Sequence, residues 1–349
     1  MKEDFRDIAA YRVGPLLWLA DWILMFPLLF YFRFKSAKSL RLEYLGDRKQ
    51  IEQDIKNGAC FLTNHRDIVL DAAWLSMLLR IRYNIRPFIG MGNNLFGKWW
   101  IEGLARFNRV YVVRRGVRPH ELLEKSRHLS TYLRMLREQK HSIWLAEREG
   151  RAKDSDDRAQ GSVIKMLTMA YMAEVKENET DNHNKGRVFF EAVKALNICP
   201  VSLSYEFDPC DYLKAEEFQL KRDNPRWRKR GKDDLFSMKT GILGQKGRVV
   251  FRMTPSINPE IDQMLAQEPE LLDAPINEQA QRICDLIDRH VWQGYELFER
   301  GEAFERYIDS RVNMVRCPNP DREFLRAKIV EMYNNPVKNH ESSLVSGIV

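Results

Sequence analysis

The sequence has few cysteines, and none of them is spaced for a disulfide framework or a metal site. The five cysteines stand far apart and form no C-x-x-C pair: Cys60, Cys199, Cys210, Cys284 and Cys317. Isolated cysteines of this kind favour buried thiols in a reducing, cytoplasmic-side location. The seven histidines also lack metal-ligand spacing, so we expect neither a metal nor another bound cofactor.

Long hydrophobic runs are scarce as well. The 30% content of charged residues excludes a polytopic membrane protein. One apolar stretch, residues 13–32, would be about 27–30 Å long as a helix, which is borderline for crossing a bilayer. Asp21 near its centre and the basic flank that follows favour an interfacial helix instead. We therefore predict an N-terminal membrane-associated segment at residues 1–40, on the cytoplasmic face of the cell membrane.

Acidic residues are outnumbered by basic ones, which gives a net charge of +7 and a pI near 9.1. Such a charge suits nucleic acid, an anionic membrane face or an acidic small molecule. No nucleic-acid-binding motif accompanies it, so nucleic acid is not an expected partner. The basic segment 226–232, which contains Trp227, is compatible with a solvated loop and equally with a contact to a lipid surface.

Apolar, β-rich runs alternate with helix-period segments along most of the chain. The runs predict strands at residues 59–63, 87–90, 109–113, 142–146, 198–204 and 247–253. The periodic segments predict helices at 71–80, 119–138, 159–175, 189–196 and 277–299, with surface loops at 176–185 and 221–234. This alternation indicates an α/β fold with a mostly parallel central sheet flanked by helices. We assign it to one domain, 41–335, followed by a C-terminal tail, 336–349.

The segment from Asn64 to Asp71 directly follows the first predicted strand and carries the clearest chemical signal. Histidine is the side chain best suited to accept a proton near neutral pH, and an aspartate can fix its tautomer. His65 is therefore a candidate general base. Either Asp71 or Asp67 could be its partner, because the sequence places both within reach.

Three further clusters fall at or near predicted strands, where α/β folds gather their sites. Arg114 and Arg115 follow the strand at 109–113, and such fork-shaped donors can grip a phosphate. The group Glu149, Gly150 and Arg151 follows the strand at 142–146, with Glu147 and Arg148 as rivals for the same roles. Pro200 interrupts the strand at 198–204, which implies an edge, a bulge or a shaped pocket.

The four clusters, in this order and within residues 55–205, resemble the motif blocks of the glycerophospholipid acyltransferase superfamily, which includes lysophosphatidic acid and glycerol-3-phosphate acyltransferases. The resemblance implies that His65 is the general base and that Asn64 belongs to the substrate site. It also implies an arginine of the second block at Arg114 or Arg115. Glu149, Gly150 and Arg151 would then bind the acceptor's phosphate, and Pro200 would belong to the acyl-donor pocket.

The chain departs from the family pattern at two points. Five residues separate His65 from Asp71, where the family has four, and one residue turns a helical side chain by about 100°. Either the helix starts one residue later, so that Asp71 still reaches His65, or Asp67 takes its place. In the third block no proline precedes the glutamate, and no residue separates Gly150 from Arg151.

The resemblance implies an O-acyltransferase that uses acyl-CoA or acyl carrier protein as donor and a lysophospholipid as acceptor, with 1-acylglycerol-3-phosphate favoured and phosphatidic acid as the product. No G-x-S-x-G nucleophile motif is present, which fits direct transfer without an acyl-enzyme. Two alternatives stay open. One is the same chemistry on another lipid hydroxyl, such as a lyso-aminolipid, and the other is a non-catalytic lipid-binding or scaffold protein at the membrane.

Overall fold

The computed structural model describes residues 21–93, 108–114, 119–173 and 181–345. The strands within these ranges are β1 (Ser39–Tyr44), β2 (Cys60–Thr63), β3 (Phe88–Gly92), β4 (Val110–Val113), β5 (Ile143–Ala146), β6 (Ile198–Tyr205) and β7 (Arg248–Met253). The helices are α1 (Phe26–Ser36), α2 (Arg48–Lys56), α3 (Leu70–Tyr83), α4 (Pro119–Glu138), α5 (Gly161–Met172), α6 (Asn182–Leu196), α7 (Asp211–Asp223), α8 (Gly231–Leu243), α9 (Asn258–Gln267), α10 (Ile276–Gln293), α11 (Glu302–Val312) and α12 (Arg322–Val345).

The strands form one seven-stranded sheet in the order β1-β7-β6-β2-β5-β3-β4. Every neighbouring pair is parallel except β6 and β7. The α/β class with a mostly parallel sheet flanked by helices is therefore confirmed. Thr63 at the end of β2 lies opposite Ala146 of β5 and Val201 of β6, so the segments that follow β2 and β5 meet at one edge of the sheet.

The two faces of the sheet carry separate apolar cores. On one face α4, α5, α6, α9 and α10 cover the sheet, with Phe189, Leu133 and Ile287 fully buried. On the other face α1, α2 and α3 cover it, with Trp74 and Ile51 fully buried. Burial on both faces explains why β2, β5 and β6 are almost entirely apolar and are easily recognised in the sequence.

Pro200 lies in an interior strand, between β2 and β7, and not at an edge of the sheet. Its carbonyl accepts hydrogen bonds from the backbone N–H of Thr254 (3.1 Å) and from Thr254 Oγ1 (2.9 Å). The β6–β7 ladder starts one residue later, at Val201 and Met253. The missing N–H of the proline therefore falls where β7 has already ended, and it costs the ladder little.

Helix α12 extends to Val345, so the predicted tail at 336–349 begins inside a helix. Asn339 and Ser343 are buried in it, and Asn339 Nδ2 donates to Asp156 Oδ1 (3.1 Å). Apolar residues of α12 pack with α7 and α11 in a third cluster that includes Leu325 and Ile329. The sequence pattern did not predict this helix, because Pro336 and polar residues interrupt its apolar period.

Helix α1 lies within the predicted membrane-associated segment, residues 1–40. A π-helical turn, Asp21–Met25, leads into it, and Phe26 and Leu29 are buried against the domain. Within the described residues, no helix is long and apolar enough to cross a membrane. Residues 1–20 of the predicted segment, which include the first part of its apolar stretch, lie outside the described ranges.

Candidate active site

The loop between β2 and α3 is folded around the carboxylate of Asp71. His65 Nδ1 lies 2.8 Å from Asp71 Oδ2, and the same oxygen accepts the backbone N–H groups of Arg66 (2.6 Å) and Asp67 (2.8 Å). Since an ionised carboxylate can only accept hydrogen bonds, a neutral imidazole in this contact carries its proton on Nδ1 and its lone pair on Nε2. The five intervening residues are thus compatible with a His65–Asp71 pair, because the first turn of α3 starts at Leu70.

Tyr205, at the end of β6, holds the second oxygen of Asp71. Its hydroxyl donates to Asp71 Oδ1 at 2.6 Å, and its ring packs edge-on against Trp74 of α3. Burial and the nearby acids raise the pKa of Tyr205 well above its usual value, so the hydroxyl keeps its proton. Asp71 is 1% exposed and receives four hydrogen bonds, which fix its position.

Asp67 has a different role from Asp71. Its Oδ1 accepts the backbone N–H groups of Val69 and Leu70, both at 2.8 Å, and thereby caps the start of α3. Burial and the charge of Asp71 raise the pKa of Asp67, while the buried ammonium of Lys246 opposes that rise. Of the two aspartates left open by the sequence, Asp71 is the one that pairs with His65.

Asn64 is fully buried and holds the loop to neighbouring strands. Its Oδ1 accepts the backbone N–H of Leu203 (2.7 Å), and its Nδ2 donates to Leu203 O (2.9 Å) and to Asp157 Oδ2 (3.1 Å). Asp157 also forms an ion pair with Arg66 (2.6 Å) and accepts from Tyr295 Oη (2.7 Å). Asn64 therefore positions the loop that carries His65 and does not line the cavity described next.

A cavity of about 1170 Å³ lies beside His65, whose side chain is 15% exposed. Its wall is apolar along α1, α3, β3 and β4, where Phe26, Leu29, Met77, Ile89 and Val110 contribute. The Trp144 ring of β5 lies edge-on to the imidazole, with centroids 6.0 Å apart. Since Nδ1 faces Asp71, Nε2 is the ring nitrogen available to a molecule in this cavity.

Basic side chains also line the cavity. Among the described residues, nine are basic and three are acidic, namely Arg80, Arg86, Arg114, Lys125, Arg148, Arg151, Lys153, Lys221 and Lys229 against Glu149, Asp154 and Asp234. Some of these are paired: Lys153 and Lys221 both contact Glu217. Burial lowers the pKa of Lys153 despite that partner. The excess of positive charge makes this part of the cavity suitable for an anionic group.

The predicted third block lies at the cavity wall. Gly150 adopts a positive φ of 78°, a conformation that glycine tolerates at no steric cost, and no other atom lies within 4 Å of where a Cβ would stand. Arg151 lines the cavity and forms no ion pair with described residues. The rival Glu147 is fully buried behind this wall, where burial raises its pKa well above the usual range. Glu149, in contrast, reaches the cavity.

The remaining predicted site residues are placed less favourably or lie outside the described ranges. Arg114 is exposed and lines the cavity, whereas Arg115 is not among the described residues. Pro200 is buried within the sheet and does not line the cavity. Sequence reasoning missed Tyr205, Asp157 and Lys246, and no local motif marks them, because they reach the loop only through the fold.

No protein-family model matches the chain, and no curated protein matches it either. Among the described residues, no group of three or more histidine, cysteine or acidic side chains is arranged to hold a metal ion.

Proposed function

We propose that this protein is an O-acyltransferase that moves a fatty acyl chain from a thioester, acyl-CoA or acyl carrier protein, to a lipid hydroxyl. The observation that carries the proposal is the 2.8 Å contact between His65 and Asp71 at the wall of a cavity that is both apolar and basic. An oriented imidazole is a general base. The cavity is larger than the range of about 300–1,000 Å³ that is common for ligand pockets, in accord with a site for two substrates.

A single group, His65, accepts and then returns the proton in this reaction. His65 Nε2 removes the proton from the acceptor hydroxyl as its oxygen attacks the thioester carbonyl. The tetrahedral intermediate then collapses, the carbon–sulfur bond breaks, and the imidazolium returns its proton to the leaving thiolate. Asp71 stabilises the imidazolium through Nδ1. The products are an ester and a free thiol, and no covalent acyl-enzyme forms.

The charge of the cavity supports a phosphate-bearing acceptor, with 1-acylglycerol-3-phosphate as the favoured compound. Arg114, Arg148 and Arg151 line the same cavity as Gly150, whose open backbone lets a ligand approach closely. Arginine binds phosphate through paired N–H donors. The apolar wall formed by α1 and α3 is suited to the acyl chain.

We further propose that α1 associates with the cytoplasmic face of the membrane. Phe30, Tyr31 and Phe34 of α1 are 39%, 56% and 74% exposed and do not line the cavity, while Phe26 and Leu29 of the same helix do. A helix that is apolar on both sides needs an apolar environment outside the protein. The five cysteines are buried and unpaired, in accord with a reducing compartment.

Release of free thiol from acyl-CoA tests the activity directly. Detergent-solubilised wild-type protein should release thiol only when lysophosphatidic acid is added, and His65→Ala should lower the rate by about 10²–10⁴-fold, the usual contribution of a general base. The matched control is His183→Ala, which changes an exposed histidine of α6 and should keep the wild-type rate. Equal loss in both variants, or activity that survives His65→Ala, contradicts the proposed role of His65.

Acceptor choice separates the remaining possibilities. Transfer to a lyso-aminolipid without a phosphate, at a rate equal to that for lysophosphatidic acid, would favour the other lipid acceptor. Absence of thiol release with every lysolipid and with both acyl-CoA and acyl carrier protein would instead favour a non-catalytic lipid-binding protein. In that case His65→Ala would leave the binding of lipid unchanged.

A further inference from the structure

Helices α1 and α8 stand side by side at the cavity. Gln245 Nε2 donates to Lys35 O, and the backbone N–H of Lys246 donates to Ser36 O, both at 2.7 Å, so the carboxyl ends of the two helices are joined. Met238 and Ile242 of α8 line the cavity, as Phe26 and Leu29 of α1 do. The two helices are therefore neighbouring parts of one wall.

Helix α8 is apolar on its outer side as well. Leu235 and Phe236 in its first turns are 47% and 53% exposed, and Leu243 at its end is 40% exposed. Helix α8 packs against α1, so the exposed apolar side chains of the two helices belong to neighbouring elements. Contiguous exposed apolar surface of this kind marks a site of protein or membrane interaction.

The segment that precedes α8 is strongly basic. Residues 226–232 contain five cations and the half-buried Trp227. Two of the cations are neutralised locally, since Lys229 contacts Asp234 (2.9 Å) and Arg230 contacts Asp233 (3.3 Å). Arg226, Arg228 and Lys232 are exposed and form no ion pair with described residues. They extend the basic character of the cavity, which Lys229 also lines.

We propose that residues 226–236 form a second membrane contact, which binds the headgroups of anionic phospholipids and holds the cavity against the bilayer. The combination favours a bilayer over a protein: unpaired cations, a tryptophan and two exposed apolar side chains stand next to the apolar α1, and both helices line the cavity. This proposal depends on the proposed function only in treating the substrate of the cavity as a lipid. Vesicle binding itself requires no catalysis.

The test is flotation of the full-length protein with phosphatidylcholine vesicles and with vesicles that also contain phosphatidylglycerol. Wild-type protein should bind the anionic vesicles more tightly, and added salt should weaken that binding. The variant Arg226→Gln/Arg228→Gln/Lys232→Gln should bind them on the order of 100-fold more weakly, since each basic residue contributes about fivefold. The matched control is Lys185→Gln/Arg187→Gln/Arg322→Gln, which removes the same charge from α6 and α12 and should bind like wild type.

Several results would overturn the proposal: wild-type binding to neither vesicle, equal binding to both compositions, or a triple variant that floats like wild type. Loss of binding in the control variant would show that net charge alone explains the effect, and this result would also overturn the proposal. A second variant, Phe236→Ser, should weaken binding to both vesicle compositions, because it removes an apolar contact. Thiol release in detergent should be unchanged in all of these variants, so failure of the contact and failure of the proposed chemistry are distinguishable.

Discussion

Tyr205 holds Asp71 in place, and Asp71 in turn orients His65. Its hydroxyl donates to Asp71 Oδ1 at 2.6 Å, while His65 uses the other oxygen. Removing this donor leaves more negative charge on Asp71 and therefore stabilises the protonated form of His65. Because a general base must be unprotonated, we expect Tyr205→Phe to move the acid limb of the pH dependence of kcat/KM to higher pH. The measurement is the pH profile of thiol release between pH 5 and pH 9.

Tyr111→Phe is a control for this prediction. Tyr111 is fully buried, and its hydroxyl donates to Trp144 O (3.1 Å), away from Asp71. Tyr111→Phe loses a buried hydrogen bond to a neutral carbonyl, worth about 1 kcal/mol of folding free energy, and Tyr205→Phe loses one to a carboxylate, worth about 1.5–3 kcal/mol. Only Tyr205→Phe should move the pH profile. A shift of equal size in both variants would assign Tyr205 a purely structural role.

The separation between residues explains which parts of the site the sequence revealed. His65 and Asp71 are six residues apart, so one loop and one helical turn bring them together, and a local pattern can indicate the pair. Tyr205 is 134 residues from Asp71, and Asp157 is 93 residues from Asn64. These contacts depend on the register of parallel strands, and no spacing rule in a single sequence encodes that register.

At the level of elements, burial decided which strands the sequence predicted. The buried strands β2, β5 and β6 were predicted to within a residue at each end, since both of their faces are apolar. The edge strand β1 was missed because it alternates apolar residues with Arg41 and Glu43 and follows a basic segment. Its pairing with β7 fixes it as a strand, and that pairing is tertiary information.

Gly241 of α8 packs against Asp67, in the loop that precedes α3. A Cβ at this position would overlap Asp67 Oδ2, and Asp67 is held in place by its two bonds to the start of α3. In a free helix, alanine would be about 1 kcal/mol more favourable than glycine. The overlap outweighs that gain, because overpacking costs about 1–3 kcal/mol. We therefore expect Gly241→Ala to lower the free energy of unfolding, measured by urea denaturation.

Gly231→Ala is the matched substitution in the same helix. No atom lies within 4 Å of the position of its Cβ, so the change should be neutral or slightly stabilising. If Gly241→Ala proved as stable as Gly231→Ala, the close packing of α8 on Asp67 would be disproved. The same comparison tests whether α8 and the loop that carries His65 form one packed unit.

For the molecule as a whole, buried acidic residues lie behind the basic cavity wall. Basic residues predominate at the cavity wall, while Glu147, Asp157 and Asp288 are buried behind the loop after β5. Arg66 compensates Asp157 through a 2.6 Å ion pair, and burial raises the pKa values of Glu147 and Asp288. Folding thus disfavours the charged forms of Glu147 and Asp288, and the free energy of unfolding must depend on their protonation.

Asp288 allows that dependence to be measured at one group. Its Oδ1 accepts the backbone N–H of Ala159 (2.6 Å), and burial raises its pKa to about 7 from the roughly 3.9 expected in the unfolded chain. Because the folded pKa is the higher one, the contribution of Asp288 to the free energy of unfolding is fully present below about pH 4 and is lost as the pH rises through 7.

Asp288→Asn keeps an acceptor for Ala159 without the charge. Relative to wild type, the variant should therefore gain stability with rising pH, by up to about 4 kcal/mol between pH 4 and pH 8. Urea denaturation of both proteins across this range measures the difference, and a difference that is constant with pH would show that Asp288 is already charged in the folded protein.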